Sequence, residues 1–244
     1  MRLRYFEIEN FRCYGSATKI TIDELTVLIG RNDAGKSTIM DALDVFFDNI
    51  KLDADDRCKH GPDDADISLT CEFDDLPSAI DLDAGNVTTL QAEYLVTDSG
   101  TLKITKVYKG KTPALKSIFA TAIHPTVVGA ADLLTLKNAQ LKAAAKKTGA
   151  ELTEVNQTIN ARLRRAIRGV FADLQLQTVK VPLDKEEAKA IWDKLDACMP
   201  VFKVFRSDRQ STDQDDEAQD PLGVAVVKAL KEKDAELRTR ARTS

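Results

Sequence analysis

The sequence is poor in the residues that build metal centres and disulfide scaffolds. It has two histidines, His60 and His124, and four scattered cysteines, Cys13, Cys58, Cys71 and Cys198, with no C-x-x-C pair. That spacing argues against structural zinc and against a secreted disulfide framework. No window approaches the roughly 18 uncharged apolar residues of a membrane span. The charged start, Met-Arg-Leu-Arg-Tyr-Phe-Glu-Ile-Glu, lacks the apolar segment of a secretory leader. These absences read as a cytoplasmic protein in a reducing compartment, with no membrane partner. A net charge of −4 gives no global field for nucleic acid and leaves room only for a local basic face. What is present is ordinary: 244 residues, 43% hydrophobic and 30% charged, enough to bury one large core or two small ones. Disorder and collagen are excluded by the same figures.

The periodicities predict an N-terminal hairpin from Leu3–Phe11 and Ala17–Ile22. Leu25–Ile29 is a short apolar run that reads as a buried strand. Beyond it, Ile39, Leu43, Phe46, Phe47 and Ile50 recur at helical spacing within Lys36–Ile50. Lys51–Asp66 is polar and broken by Gly61-Pro62, an exposed connection that can still border a site. Asp66–Asp74 alternates as a half-buried antiparallel strand, and Leu90–Val96 and Leu102–Tyr108 read as two more, joined by Thr97–Gly100. After His124-Pro125 the pattern turns helical through Ala130–Lys147 and Leu152–Leu174, with Gly149 between. Asp184 and Glu187 suggest a capping box before the helix Ala188–Cys198. A short return strand is expected at 201–205, an acidic loop at Asp213–Asp220, and a charged helix over Leu222–Arg242.

The chemistry lies in Gly30-Arg31-Asn32-Asp33-Ala34-Gly35-Lys36-Ser37-Thr38, which satisfies G-x-x-x-x-G-K-[ST] between an expected strand and an amphipathic helix. Gly30 and Gly35 let the backbone curl around a phosphate, and the helix N-terminus aims its amides and dipole at the anion. Lys36 reaches the β- and γ-phosphates, and Ser37 ligates Mg²⁺ through its hydroxyl. The expected cofactors are therefore ATP and Mg²⁺. Hydrolysis also requires an oriented water and a carboxylate, yet no run of four apolar residues followed by Asp-Glu occurs, nor a serine-glycine signature loop.

Phe6-Glu-Ile-Glu-Asn-Phe-Arg-Cys-Tyr14, followed by Val-Leu-Ile-Gly-Arg-Asn-Asp-Ala-Gly-Lys-Ser-Thr-Ile-Met-Asp-Ala-Leu, resembles the N-terminal lobe of ABC-type ATPase heads of the RecF and SMC kind. Within that group it is most similar to the OLD (overcoming lysogenization defect) family, which includes Gabija-type nucleases. The resemblance is specific over residues 1–50, looser through Asp66–Asp74, and architectural beyond about residue 120. It implies an α/β P-loop lobe with an antiparallel portion over residues 1–125. It further implies a helical arm supporting dimerisation over residues 126–244. Asn32, Asp33, Ala34, Gly35, Lys36, Ser37 and Thr38 then take the phosphate and metal roles, Arg12 stands beside the nucleotide, and Asp55 or Asp56 faces metal or water. The Walker B acids, signature motif and Toprim nuclease of such proteins are missing. The expectation is thus an N-terminal portion of a longer polypeptide, or half of a split ATPase, that gates DNA processing in phage defence. A dimerisation module that binds ATP without hydrolysing it, and a small-molecule phosphotransferase, are the alternatives.

Other signals are weaker. Asp53-Ala-Asp55, Asp64-Ala-Asp66 and Asp81-Leu-Asp83 mimic two-metal sites but follow no apolar strand, so they read as solvated loops. Asp81–Asn86 fails as a calcium loop because Gly85 stands where a ligand is needed. Arg162, Arg164, Arg165 and Arg168, with Lys142, Lys146 and Lys147, read as a solvated helix face ahead of a DNA-binding one. Trp192 reads as core, and the two histidines as surface or loop residues.

Overall fold

The computed structural model describes residues 1–31, 34–62, 64–83, 86–110 and 114–204. Met1–Pro200 forms one compact unit. In it, β1 (Arg2–Glu9), β2 (Thr18–Thr21), β3 (Ile67–Asp74), β6 (Leu102–Tyr108), β7 (Leu115–Pro125) and β8 (Leu176–Pro182) make an antiparallel sheet in the order β2-β1-β3-β6-β7-β8. β4 (Ile80–Asp83) and β5 (Asn86–Thr88) pair as a separate hairpin. The helices are α1 (Lys36–Phe46), α2 (Asn138–Thr148), α3 (Asn160–Arg168) and α4 (Ala188–Asp196).

Period-two alternation sets the faces of the sheet. The register aligns Phe6, Cys71, Ile104, Ala120 and Val181 in one row across five strands, and Ile8, Leu69, Lys106 and Ile118 in the next. Every one of these residues is buried. The buried Lys106 reaches α1: its Nζ donates to the Phe46 carbonyl at 2.7 Å and pairs with Asp48 at 2.6 Å. Its ammonium stands 5.2 Å from both the Phe46 and Trp192 rings. Trp192 is buried on α4, as core. A satellite core joins α2 to α3 through Leu133, Leu141, Ala145, Leu163 and Ile167.

Several expectations are corrected. Leu90–Val96 is a series of turns, with Tyr94 at φ 57°, and β6 lies antiparallel between β3 and β7. The helical pattern over Leu152–Leu174 yields only α3, because Asn156 caps a tight turn at Thr158 and Gly169 closes the last turn. The stretch after residue 125 is not wholly helical, since β8 returns to the sheet beside β7. No capping box precedes α4: its N-cap is Glu187 without a side-chain bond, and Asp184 Oδ1 is buried without a partner. The Lys51–Asp66 connection buries Asp56 and Cys58. His124 is buried rather than superficial, its Nδ1 facing the Tyr94 carbonyl at 2.9 Å and its Nε2 the Ala131 carbonyl at 3.0 Å. Val201–Val204 forms no strand; Phe205, the acidic loop and the final charged helix lie outside the described residues.

Candidate nucleotide site

α1 starts at the loop's second glycine. Gly35 is the N-cap at φ 83°, a conformation that L side chains rarely adopt. Space forbids a side chain there too: a Cβ on Gly35 would stand 2.7 Å from Cys13 Sγ and 3.1 Å from Tyr14 Oη. The turn after β1 thus packs directly on the loop. The Tyr14 hydroxyl donates to the Gly35 carbonyl at 3.2 Å, and burial holds its pKa above the ordinary tyrosine value, so it remains a donor.

The same turn grips the side of α1. Arg12, at φ 47°, donates from Nη1 to Asp41 of α1 and from Nε to Asp56 at 2.7 Å. Burial works against its charge, but the bonds to Asp56 and Asp41 outweigh it and raise its pKa. Asp56 also accepts from the Asp53 amide at 2.7 Å, which closes a one-turn helix at Ala54–Asp56. Asp56 is thereby spent on structure, while Asp55 is exposed and pairs with Lys59 at 3.4 Å.

No side chain caps α1, and no acidic residue lies in its first turn. Among the described residues, no cap or first-turn acid offsets its positive end. Ser37 is exposed on that turn and Thr38 is buried beneath it. Lys36 Nζ donates to the carbonyls of Gly30 at 2.8 Å and Arg31 at 2.7 Å, spanning its own loop. Gly30 and Ala34 flank this span, and Asn32 and Asp33 lie outside the described residues. An ammonium at the loop mouth, an uncapped helix start and an exposed hydroxyl are a donor set that fits a polyphosphate with its magnesium.

The run leading into the loop departs from expectation. Leu25–Ile29 forms no strand, and Leu25, Val27 and Ile29 are 83%, 66% and 91% exposed. The Asp23 amide bonds to Thr26 Oγ1 at 2.9 Å, which turns the chain away after β2. The run thus has no neighbouring ladder to join.

The basic cluster on α3 is only half a solvated face: Arg162 and Arg165 are exposed, while Arg164 and Arg168 are buried. Arg164 donates from Nε and Nη2 to Glu93, both at 2.9 Å, and Arg168 donates from Nη1 to Glu93 at 3.1 Å. All three side chains are 5% exposed or less. Tyr14, Asp41, Lys106 and the Glu93 network escaped the sequence reading. Only Tyr14 carried a signal, its place beside Arg12 in the Asn-Phe-Arg stretch.

The chain belongs to the AAA ATPase domain family, which it matches over residues 1–243. This is therefore an ATPase domain of mixed α/β architecture. No curated protein matches it. Among solved structures it is similar to one from work on ATP-driven dimerization and DNA-stimulated activation of SMC ATPases, at 16% identity and TM-score 0.36. That alignment covers 50% of this chain and 70% of the other. It is also similar to an SMC head domain from Thermotoga maritima, at 13% identity and TM-score 0.33, covering 62% of this chain and 52% of that one. Among the described residues, no helix is long and apolar enough to cross a membrane.

Proposed function

We propose that this chain is the ATP-binding lobe of an OLD-like ATPase head, in which nucleotide-driven closure or dimerisation gates DNA processing in nuclease-based phage defence. Residues 1–125 supply the P-loop lobe, and the helical stretches within residues 126–244 the arm through which a second copy is engaged. Gly30, Asn32, Asp33, Ala34, Gly35, Lys36, Ser37 and Thr38 hold the phosphates, and Lys36 neutralises charge on the transferred group. Ser37 holds Mg²⁺, and Arg12 lies beside the nucleotide while fixing α1. The metal, when bound, supplies charge neutralisation across the β- and γ-phosphates. This chain's own residues bind and orient.

The observation that carries the reading is the bare apolar run Leu25, Val27 and Ile29 immediately before the loop. Exposed apolar residues leading into a phosphate loop support a further lobe that covers them and brings the catalytic acid and signature motif.

ATP binding and steady-state hydrolysis by the purified chain, beside Lys36→Ala, test the proposal. Charged hydrogen bonds are worth about 1.5–3 kcal/mol, so affinity falls roughly 10- to 150-fold in the variant. The native chain binds without sustained turnover. Equal affinity in Lys36→Ala refutes the site. Turnover by this chain alone, lost in Lys36→Ala, overturns the need for another lobe.

A further inference from the structure

A cavity of about 610 Å³ opens between the end of β5, the turns after it, and α3. None of its lining belongs to the P-loop or α1. The volume lies within the roughly 300–1,000 Å³ typical of small-molecule sites. Val155, Ile159 and Ala166 give it an apolar wall, while Arg162, Arg165 and Thr88 supply polar donors. Arg162 and Arg165 stand one helical turn apart on α3, so their guanidinium groups share a face.

The charge around the cavity is unbalanced. Its acidic residues are Glu93 and Glu154. Glu93 is already occupied by Arg164 and Arg168. Among the described lining residues, Arg162 and Arg165 therefore stand against Glu154 alone. The first turn of α3 adds the positive end of its dipole to the same space.

We propose that this cavity binds a phosphorylated small molecule, with its phosphate on Arg162 and Arg165 and an apolar body against Val155, Ile159 and Ala166. A phosphate supplies the anion that the two exposed guanidinium groups lack, and its three acceptor oxygens suit two guanidinium forks and a threonine hydroxyl. The concave shape suits a compact ligand better than the extended backbone of a duplex.

The probe is 1-naphthyl phosphate, titrated calorimetrically into the chain with and without saturating ATP. Binding is expected to survive ATP and Lys36→Ala. It falls at least tenfold in the Arg162→Gln/Arg165→Gln double variant, whose thermal midpoint and ATP affinity match the parent because both arginines are exposed. Inorganic phosphate and 1-naphthol each bind at least tenfold more weakly, since each offers half the ligand. Undiminished binding in the double variant overturns the proposal, as does competition by ATP with parallel loss in Lys36→Ala. Equal binding of 1-naphthoate overturns the phosphate assignment. A short DNA duplex that binds through Arg162 and Arg165 while 1-naphthyl phosphate does not would make this a polyanion face, and would overturn the cavity site.

Discussion

Glu93→Gln should be among the most damaging single-atom changes in this protein. Glu93 is 1% exposed and accepts three hydrogen bonds from two arginines that are themselves buried. Glutamine keeps the shape and one carbonyl acceptor, but it removes the carboxylate charge that Arg164 and Arg168 share. Breaking a buried pair from one side costs about 3–5 kcal/mol, because the remaining charge is stranded away from water. For a domain of this size each kcal/mol lowers Tm by about 2–4 °C, so the midpoint should fall by roughly 6–20 °C. Thermal unfolding followed by circular dichroism reads this directly. Adding Arg168→Met to Glu93→Gln should recover part of the loss, because it removes one of the stranded charges. A fall below about 2 °C would mean that solvent reaches the cluster, and would refute the buried-network argument.

Three further outcomes follow from other parts of the sheet and its loops. Gly110→Ala should destabilise by about 1–3 kcal/mol or more, since its Cβ would stand 2.2 Å from the Ala65 carbonyl oxygen with backbone on both sides; urea denaturation measures it. Lys106→Met should cost about 1–3 kcal/mol by leaving the buried Phe46 carbonyl without its donor, and the same denaturation reads it. His124 should make stability pH-dependent: burial lowers its pKa below 6.5 despite backbone bonds to Tyr94 and Ala131. The unfolded chain then takes up the proton first, so His124 contributes fully above pH 6.5 and progressively less as pH falls towards its folded pKa. The stability lost between pH 7 and pH 5 should therefore be larger in the native chain than in His124→Gln, and equal losses would refute the assignment.

The legible parts of this fold are those whose signals are local. The β1–β2 hairpin, β3, β6, α1 and α4 each carry their own period, and the G-x-x-x-x-G-K-S loop is contiguous. Long-range partners decided the rest. Leu90–Val96 contains enough apolar residues to mimic a strand. Glu93 turns inward because its partners lie 71 and 75 residues away on α3, and no local pattern records that. The same pairing hid the fate of Arg164 and Arg168, which as sequence are just two more charges on a polar helix. β7 buries Ile118, Ala120, Ala122 and His124 at period two, but alanine and histidine give that period little hydrophobic contrast. β8 is an edge strand exposed along most of its length, so its sequence has no buried face to announce. Lys106 sits in phase with Leu102, Ile104 and Tyr108, and a lysine in that phase looks like an exception until Asp48 and the end of α1 are seen above it.

These long-range contacts share a mechanical consequence for the phosphate loop. α1 is held at its start by Tyr14 on the Gly35 carbonyl, along its side by Arg12 on Asp41, and at its end by Lys106 on the Phe46 carbonyl. Its N-terminal amides therefore have a fixed direction relative to the sheet. Gly30 and Arg31 enter the loop from an exposed run, and Lys36 bonds both of their carbonyls. Under the proposed function, a polyphosphate that draws Lys36 away would exchange those two carbonyl bonds for bonds to phosphate oxygens, with the helix held by its other contacts. The free-energy change on binding then falls on the segment Leu25–Arg31, the segment whose apolar residues stand bare. Under the proposed function, with a further lobe over Leu25, Val27 and Ile29, nucleotide occupancy and that covering would be coupled through one short stretch of backbone. Each should strengthen the other by the same factor, as linkage requires.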